Sequence, residues 1–472
     1  MSLDRRQWLG QVGAGAAWVL AGCGGRAGSV GPVTVAGGVG DVRAAMREAL
    51  AMLAEAGADP AVQVVQRRRV AAAARGPTRG VRRHGWAEVV LALTDGDGRR
   101  RRRRLDTLGA DVLIGAAEEL AAAVRPSRGR SLAPAIGDPV RLAAPAGGDL
   151  PRRSDDGWLA QLGQLTERAD RVGASRIVER AVLLEVEELV GWHLAPGRDL
   201  EQRRVRARAG AAFLVWSGPL PSVGLAERAG VGDGMGEGAI ELLGDDELAA
   251  AAARALELPT PAEPASAARP LLLGPAAVAT LSRVLAAAVD AGRWPEGVAP
   301  SAPADDPAVA PAVIGATLSA EPDPAQPGAD LVDDDGAPVS PRVVIAAGAI
   351  GAAGRGGAGR GHLRWQPGVV TPAALMTGID DGWRVDELRA AHLDPGRRRL
   401  TLLADRAREV RAGALTGRVF ADVVLMVPVA AVLRPGAIGA DLSLHSGRDD
   451  AGWWSVEAPA VRTMATVMAR RA

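Results

Sequence analysis

The chain has 472 residues, of which 48% are hydrophobic, so it is long enough for two or three domains with cores of their own. Its 56 basic and 55 acidic side chains give a net charge of +1, which argues against a nucleic-acid binder driven by bulk charge. The sequence has no run of about 18 uninterrupted apolar residues, so it predicts no conventional membrane-spanning helix.

The N-terminus has the pattern of an export and lipidation signal. Arg5 and Arg6 precede a short apolar stretch that ends in Leu-Ala-Gly-Cys at Cys23, which is the only cysteine of the chain. This order resembles a twin-arginine export signal joined to a bacterial lipobox, in which the thiol receives a diacylglycerol. The alternative is a chance apolar N-terminus with an ordinary buried cysteine. The signal interpretation predicts a mature chain that begins at Cys23, is lipid-anchored in the bacterial cell envelope outside the cytoplasm, and forms no disulfide.

Residues 24–40 are predicted as a glycine-rich tether, and residues 41–258 as an N-terminal α+β domain. Asp41 is predicted to cap the first helix, and Asp95–Gly98 to form the turn of a hairpin. Residues 126–153 are predicted as a crossing loop. The predicted helices cover about residues 41–57, 111–124, 158–169 and 245–256, and the predicted strands cover 62–70, 86–94, 99–105, 176–190 and 203–216.

A change of composition separates the two halves of the sequence. Residues 259–269 (PTPAEPASAAR) form its clearest linker. Beyond the linker, Leu271–Leu273 is predicted as a strand, Pro275 as a residue of the first turn of a helix, and 294–329 as a loop. Short apolar segments separated by glycine and aspartate then predict a mostly β domain over residues 270–472.

Short motifs in the second half follow the order found in one protein family. Asp333–Pro338 (DDDGAP) and Arg342–Ile350 are similar to the family's "DDEGxP … xLIxxGxL" stretch. The further matching segments are Gly361–Arg364 (GHLR), Ile379–Val385 (IDDGWRV), Glu409–Leu415 (EVRAGAL) and Gly436–Asp441 (GAIGAD). Through this collinear set the chain resembles the TldD–PmbA family of metallopeptidases, which also carry an older description as modulators of DNA gyrase. The resemblance implies a two-domain α+β fold, with an N-terminal α/β domain and a mostly β C-terminal domain.

The resemblance also implies where a metal site is expected. Active members of the family carry His-Glu-x-x-x-His on the helix that follows the strand at Leu271–Leu273, and a cysteine near the C-terminus. The imidazoles and the thiolate of such a site bind zinc, and the glutamate takes a proton from its water. Here the corresponding positions hold Arg283, Val284 and Ala288, and residues 446–450 include no cysteine. The alignment therefore predicts a degenerate motif, with no catalytic residue, no metal ligand and no cofactor in this chain.

A substitute zinc site remains as an alternative. It would use His362, His392 and His445, but scattered histidines are more often exposed or hydrogen-bonded than metal-bound. Ser282 does not lie in a Gly-x-Ser-x-Gly sequence, so no serine nucleophile is predicted.

The family includes a metal-free branch, PmbA or TldE, that pairs with the metal-bearing TldD. Similarity to this branch predicts the non-catalytic subunit of a two-subunit metallopeptidase, which binds peptide or unfolded protein beside a zinc-bearing, TldD-like partner. The alternative function is a stand-alone envelope lipoprotein that binds or scaffolds without peptidase activity. No nucleic-acid partner is expected.

Two charged features have both a functional and a structural interpretation. The run Arg99–Arg104 suggests an anion-binding patch, but a strand turns alternate side chains to opposite faces, so a solvated hairpin is favoured. The pair Asp380-Asp381 is interpreted as a turn with a helix cap rather than as two catalytic carboxylates.

The aromatic and glycine-rich features are interpreted in the same way. Trp192 and the pair Trp453-Trp454 are expected in the core or at a strand edge rather than along a groove. The segment Gly351–Gly361 is expected to form a surface loop, because it lacks the Lys-Ser/Thr ending of a phosphate loop. Two dipeptides, Asp335-Gly336 and Ala347-Gly348, are predicted as hairpin turns.

Overall fold

A computed structural model describes most of the chain between residues 39 and 468. The described ranges are 39–124, 139–142, 153–172, 176–217, 220–232, 238–257, 267–291, 317–329, 331–332, 339–346, 348–350, 362–449 and 452–468. Predictions that lie outside these residues concern Arg5, Arg6, Cys23, the tether up to residue 38, most of the linker 259–269, Asp335-Gly336 and Gly351–Gly361.

The described part of the N-terminal half, residues 39–257, forms one mixed sheet with helices. The helices are α1 (Val39–Ala56), α2 (Ala110–Ala122), α3 (Asp155–Val172) and α4 (Asp245–Leu256), and the strands are β1 (Ala58–Arg75), β2 (Thr78–Thr94), β3 (Arg100–Leu105), β4 (Pro139–Leu142), β5 (Glu179–Ala195), β6 (Arg198–Ser217) and β7 (Leu220–Val231). The strand order is β3-β2-β1-β5-β6, and both β4 and β7 pair with β6. All pairs are antiparallel except β4–β6.

The two faces of this sheet differ in chemistry, because side chains alternate along each strand. On one face, Val70 and Ala72 of β1 are buried with residues of α3 and α4. Val62, on the same face, is buried with residues of α1 and α2. The opposite face carries Arg69 and Glu185, which are buried although they are charged. Four helices therefore cover the apolar face, and the charged face turns toward the C-terminal half.

The described part of the C-terminal half, residues 267–468, contains two further sheets. Its helices are α5 (Pro275–Asp290), α6 (Pro372–Thr377) and α7 (Val429–Leu433), and its strands are β8 (Ala268–Leu273), β9 (Leu318–Glu321), β10 (Arg342–Ala346), β11 (Ala349–Ile350), β12 (His362–Trp365), β13 (Asp381–Val385), β14 (Ala390–Asp394), β15 (Arg399–Arg411), β16 (Ala414–Pro428), β17 (Ala437–Ile438), β18 (Ser443–Asp449), β19 (Gly452–Ala458) and β20 (Val461–Met468).

The longest helix of this half, α5, packs against strands of both sheets. One sheet has the order β11-β10-β9-β12-β19-β18. In the other, the order is β13-β8-β20-β16-β15-β14, and β13 also pairs with β15, so that five strands close into a ring. Leu285 of α5 shares a single core with Leu363 of the first sheet and Leu400 of the second. This core fixes the orientation of α5 relative to both sheets.

Most predicted elements agree with the structure, and the predicted fold class is confirmed as a mixed α+β architecture. Helix α4 has the predicted bounds, and the stripe of α3 from Trp158 to Ala169 is buried as its periodicity predicts. Gly348 has a φ of 78°, as a hairpin turn between β10 and β11 requires. Because the N-terminal sheet is almost entirely antiparallel, that half is α+β rather than α/β. The domain boundaries stay a prediction.

Other predictions of local structure are wrong. Helix α1 begins at Val39, so Asp41 lies in its first turn and does not cap it. The predicted loops 126–153 and 294–329 contain strands β4 and β9, and Arg269 belongs to β8 rather than to the linker. Short strands such as β4 and β9 exist through their pairing with distant strands, which local periodicity does not report. None of the described helices combines the length and the apolar character that a membrane crossing requires.

Candidate functional site

The site is built around α5, which follows β8 after a tight turn. Gly274 is the N-cap in an extended conformation, and Pro275 begins the helix, where its missing N–H group is not needed. The side chains of Val278, Leu281 and Leu285 are almost completely buried. Because these residues hold one face of the helix in the core, Arg283 is directed toward β18 and β19.

The side chain of Arg283 contacts one acidic and one aromatic side chain. Its guanidinium forms an ion pair with Asp449 of β18. It also lies 4.6 Å from the ring centroid of Trp454 on β19, in a cation–π contact. Burial lowers the pKa of Arg283 to about 10, and the charge of Glu227 acts in the opposite direction. The side chain is therefore a fixed cation at neutral pH.

The other two positions of the degenerate motif are hydrocarbon. Val284 is half-buried and packs against the C-terminal core, and Ala288 is buried in it. Neither side chain has a lone pair, and a guanidinium has none to donate while it is charged. These residues do not fit a zinc ion. In the ranges that the structure describes, no group of three or more histidine, cysteine, aspartate and glutamate residues is arranged to hold a metal.

The N-terminal half contributes Glu227 of β7 to the same place. Its Oε1 atom accepts hydrogen bonds from Arg208 Nη1 at 3.1 Å and from the backbone N–H of Arg448 at 3.3 Å. A Cβ atom at Gly447 would lie 2.7 Å from this oxygen and 2.8 Å from the ring of Trp454. The absence of a side chain at Gly447 thus allows Glu227 and Trp454 to approach β18 closely. Burial raises the pKa of Glu227, and the charge of Arg208 opposes that rise.

Glu185 of β5 is the centre of the charged network behind this site. Its carboxylate lies 2.6 Å from Arg69 Nε, 2.7 Å from Arg208 Nη2 and 3.2 Å from Arg448 Nη1. The side chain of Glu185 is completely buried. Since Arg448 belongs to β18 and the other residues to the N-terminal sheet, this network joins the two halves of the chain.

A second set of contacts between the halves uses backbone groups. Arg204 donates to the carbonyls of Gln326 at 2.8 Å and of Pro324 at 3.1 Å. Ser446 accepts from the backbone N–H of Ala229 at 3.0 Å and donates to its carbonyl at 2.8 Å. These bonds place β7 beside β18 and fix the distance between the two halves at the site.

The structure does not bring the three alternative histidines together. His362 of β12 is buried, and its Nδ1 lies 3.0 Å from Ser455 Oγ. His445 is on β18 and faces the opposite side of the sheet from its neighbour Ser446. Ser446 pairs with Ser455, the residue that His362 contacts. His392 is exposed on β14, in the other sheet. His362 and His445 are therefore on opposite faces, and His392 lies apart from both.

The arginine run forms the predicted hairpin, whereas the helix cap predicted at Asp380-Asp381 is wrong. Arg99–Arg104 lies in the β2–β3 hairpin, and three of its members form ion pairs: Arg101 with Asp95 at 2.7 Å, Arg104 with Glu88 at 2.8 Å, and Arg103 with Glu119. At the predicted turn, Asp381 opens β13 and pairs with Arg269 at 2.8 Å, so it does not cap a helix.

The tryptophans divide between core and site. Trp192 is buried in the core beneath α1 and α2. Trp453 is buried and donates through Nε1 to Glu187 at 2.9 Å. Trp454 is half-buried and stacks on Arg283, so for this residue the interpretation as strand-edge packing is incomplete.

Sequence reasoning missed the contribution of the N-terminal half. Glu227 and Arg208 carry no motif, and they reach the site because β6 and β7 pair in register beneath β18. One signal was present: arginine recurs at every second position from Arg204 to Arg208, and the residues between are valine and alanine. Such alternation predicts a strand with one charged face, and a buried strand with that pattern requires partners on another element.

Comparison with known proteins gives a result for the fold alone. The sequence matches no protein-family model and no curated protein. Solved structures that are similar to it include three at 15–16% identity. The first, described as a candidate modulator of DNA gyrase from Thermotoga maritima MSB8, has a TM-score of 0.66 and 16% identity, with 87% of this chain and 96% of that chain covered.

The other two structures agree with the first. TldE from Thermococcus kodakarensis has a TM-score of 0.62 and 16% identity, with 90% and 100% of the two chains covered. A candidate modulator of DNA gyrase from Bacteroides thetaiotaomicron VPI-5482 has a TM-score of 0.61 and 15% identity, with 91% and 98% covered. The resemblance predicted from the sequence is confirmed at the level of the fold, and the chain has the fold of the TldD–PmbA proteins.

Proposed function

We propose that this protein is the non-catalytic subunit of a two-subunit metallopeptidase of TldD–PmbA type, exported and lipid-anchored through Cys23. It binds peptide or unfolded protein together with a zinc-bearing, TldD-like partner. The observation that supports this proposal is the ion pair between Arg283 and Asp449 at the position expected for the metal. A permanent cation repels a divalent ion and does not act as its ligand.

The chemistry of the neighbouring residues supports a binding role rather than hydrolysis. Val284 cannot remove a proton from water, and Ala288 cannot coordinate an ion. Arg283 and Asp449 each keep 23% of their side-chain surface exposed, and Glu227 keeps 26%. These three charged groups are thus accessible to a polar ligand such as the main chain of a peptide. Zinc is proposed in the partner and not in this chain.

The test begins with the purified chain alone. Metal analysis and peptidase assays are expected to find neither stoichiometric zinc nor zinc-dependent cleavage. Stoichiometric zinc with zinc-dependent cleavage by this chain alone would contradict the proposal. The second step adds a homologue that carries His-Glu-x-x-x-His. Cleavage is expected from the pair, and replacing the partner's motif glutamate by glutamine is expected to abolish it.

The same experiment separates the alternative function from the proposed one. If solubilised membranes yield this chain without a metal-bearing homologue, and added homologue gives no cleavage, the protein is a stand-alone envelope lipoprotein that binds or scaffolds. A nucleic-acid partner is not proposed, because the net charge is +1 and members of the arginine run are paired with carboxylates.

Export and anchoring have their own test. Cys23→Ser is expected to remove incorporation of labelled fatty acid and to release the chain from membranes, because acyl chains provide the anchor. Replacing Arg5 and Arg6 by lysine is expected to keep the precursor in the cytoplasm. As a matched control, Ser2→Ala changes the N-terminus outside the pattern and is expected to leave both properties unchanged. Fatty-acid labelling that persists in Cys23→Ser would contradict this part of the proposal.

A further inference from the structure

The contacts of Arg283 reach beyond its own half of the chain. Its ion-pair partner, Asp449, ends β18, and the preceding residues of that strand contact β7 through Ser446 and Gly447. Trp454, on which Arg283 stacks, also limits the space at Gly447. At this contact between the halves, the C-terminal half therefore contributes the guanidinium of Arg283, and the N-terminal half contributes the carboxylate of Glu227.

Charge explains why a cation is needed at this place. Glu227 and Asp449 bring two carboxylates, one from each half of the chain, to the same segment of β18. Arg283 stacks on the ring of Trp454, and both that ring and Glu227 Oε1 lie within 2.8 Å of the place where a Cβ atom of Gly447 would be, so the two charged groups border the same residue of β18. The charge of Glu227 opposes the lowering of the Arg283 pKa by burial. In a partly desolvated site, carboxylates without a nearby cation are costly. A metal ion provides such a cation in a metal site, and here the residues do not fit one.

We infer that Arg283 is a resident cation that takes the electrostatic place of the metal and fastens β7 of the N-terminal half to α5 and β18 of the C-terminal half. The contact between the halves at this site is then complete without any added ion. This inference does not depend on peptide binding or on a partner subunit, so it can fail while the proposed function stands, and the reverse also holds.

Three properties of the site follow from this role. Stability should be insensitive to chelators and to added zinc, because the described part of the chain contains no vacant set of metal ligands. It should depend on the charge at position 283 more than on side-chain volume. The losses of stability caused by substituting Arg283 and Asp449 should not be additive, since each residue provides the counter-charge of the other in a desolvated position.

The experiment compares the full-length protein with Arg283→Met, Arg283→Lys, Asp449→Asn and the double variant Arg283→Met/Asp449→Asn. Thermal unfolding is recorded with EDTA, with zinc and without either. Arg283→Met is expected to lower the unfolding midpoint by roughly 3–6 °C, which is a typical shift for losing a partly buried pair. Arg283→Lys should recover part of that loss, and the double variant should be less destabilised than the sum of the two single changes.

A matched control is the exposed ion pair on the N-terminal half. Arg83 lies 2.9 Å from Asp155, and the two side chains are 38% and 61% exposed. Arg83→Met removes the same side-chain type and is expected to change the midpoint little, because exposed pairs contribute little.

Hydrogen exchange gives a readout that separates fastening from general stability. In Arg283→Met, the amides of β7 and β18 should exchange faster than in the wild type, while those of α1 and α2 should not. A midpoint for Arg283→Met equal to that of Arg83→Met would overturn the inference. So would a wild-type protein that zinc stabilises, or Arg283→Lys behaving like Arg283→Met. If Arg283→Met does not fold, Arg283→Lys and Asp449→Asn still provide the comparison.

Discussion

Trp453 Nε1 donates a 2.9 Å hydrogen bond to Oε1 of Glu187, which lies 266 positions earlier in the chain. Both residues are buried, at 5% and 1% exposure, so water does not compete for this bond. Glu187 is on the charged face of the N-terminal sheet, and Trp453 is on β19 beside the residue that stacks on Arg283. One indole therefore ties the charged face to the strand that supports the candidate site.

Trp453→Phe is expected to destabilise the protein by about 1–3 kcal/mol, because the buried carboxylate of Glu187 loses the indole N–H and keeps only a distant ion pair with Arg67, at 3.7 Å. The measurement is the free energy of unfolding in denaturant. Trp192→Phe is the matched control, since Trp192 is equally buried but its Nε1 has no hydrogen-bond partner among the described residues. Equal losses in the two variants would show that the cost comes from ring volume and not from the bond to Glu187.

Glu185 of the N-terminal sheet takes part in the contact between the halves through its ion pair with Arg448. Its completely buried carboxylate is shared by Arg69, Arg208 and Arg448. Glu185→Gln is expected to cost about 3–5 kcal/mol, because it leaves buried guanidinium groups without their counter-charge. Unfolding in denaturant measures the loss.

The control for Glu185 is a glutamate in an exposed pair. Glu88 lies 2.8 Å from Arg104, whose side chain is 71% exposed. Glu88→Gln is expected to cost less than about 1 kcal/mol. A similar small cost for Glu185→Gln would mean that the buried network contributes little, and that hydrogen bonds to backbone groups hold the halves together.

The sequence could predict the site only in part. Arg283, Val284 and Ala288 follow from motif spacing, and α5 itself follows from Pro275 and the apolar periodicity after it. Glu227 and Arg208 could not be found in this way, because their position at the site results from the pairing of β6 with β7 and from the approach of β18. Such contacts depend on residues more than 200 positions apart, and nothing local in the sequence encodes them.

The same distinction applies to the fold. Helices α3 and α4 could be predicted, since each has an apolar stripe whose helical spacing is visible within its own short sequence. Strand β9 and strand β4 were missed, because each has four residues and is defined by its neighbours. The extension of β1 to Arg75 was also missed, because its alanine-rich end has little strand propensity and is held by β2 and β5 on both sides.

Acid should destabilise the protein through His193. Burial lowers the pKa of this histidine from 6.5 to about 4. The folded protein thus keeps the neutral form, and between these values the unfolded chain binds more protons. The stability that this group contributes is complete above pH 6.5 and is lost as the pH falls toward 4.

At pH 5 the loss from His193 is expected to be about 2 kcal/mol relative to neutral pH. His193→Gln cannot titrate and keeps a hydrogen-bonding group toward Gln202, so it should reduce the difference in unfolding free energy between pH 7.5 and pH 5. His392→Gln, which changes an exposed histidine, should leave that difference unchanged. An unaltered pH dependence in His193→Gln would show that other groups cause the acid sensitivity.

Ser282 supports α5 from within the core, next to Arg283. Its hydroxyl donates to the carbonyl of Val278 at 2.6 Å and accepts from Trp365 Nε1 at 2.6 Å, and the residue is completely buried. The hydroxyl is used both as a donor and as an acceptor, so Ser282 holds β12 to α5 and is not placed to act as a nucleophile.

Ser282→Ala is expected to cost about 1–3 kcal/mol, because the indole N–H of Trp365 loses its acceptor. Thr280→Ala removes a hydroxyl that donates to the carbonyl of Ala276 in the same helix, at 3.2 Å, and is half-buried, so it should cost less. Unfolding in denaturant measures both, and an equal cost would mean that the bond to Trp365 adds nothing to the position of α5.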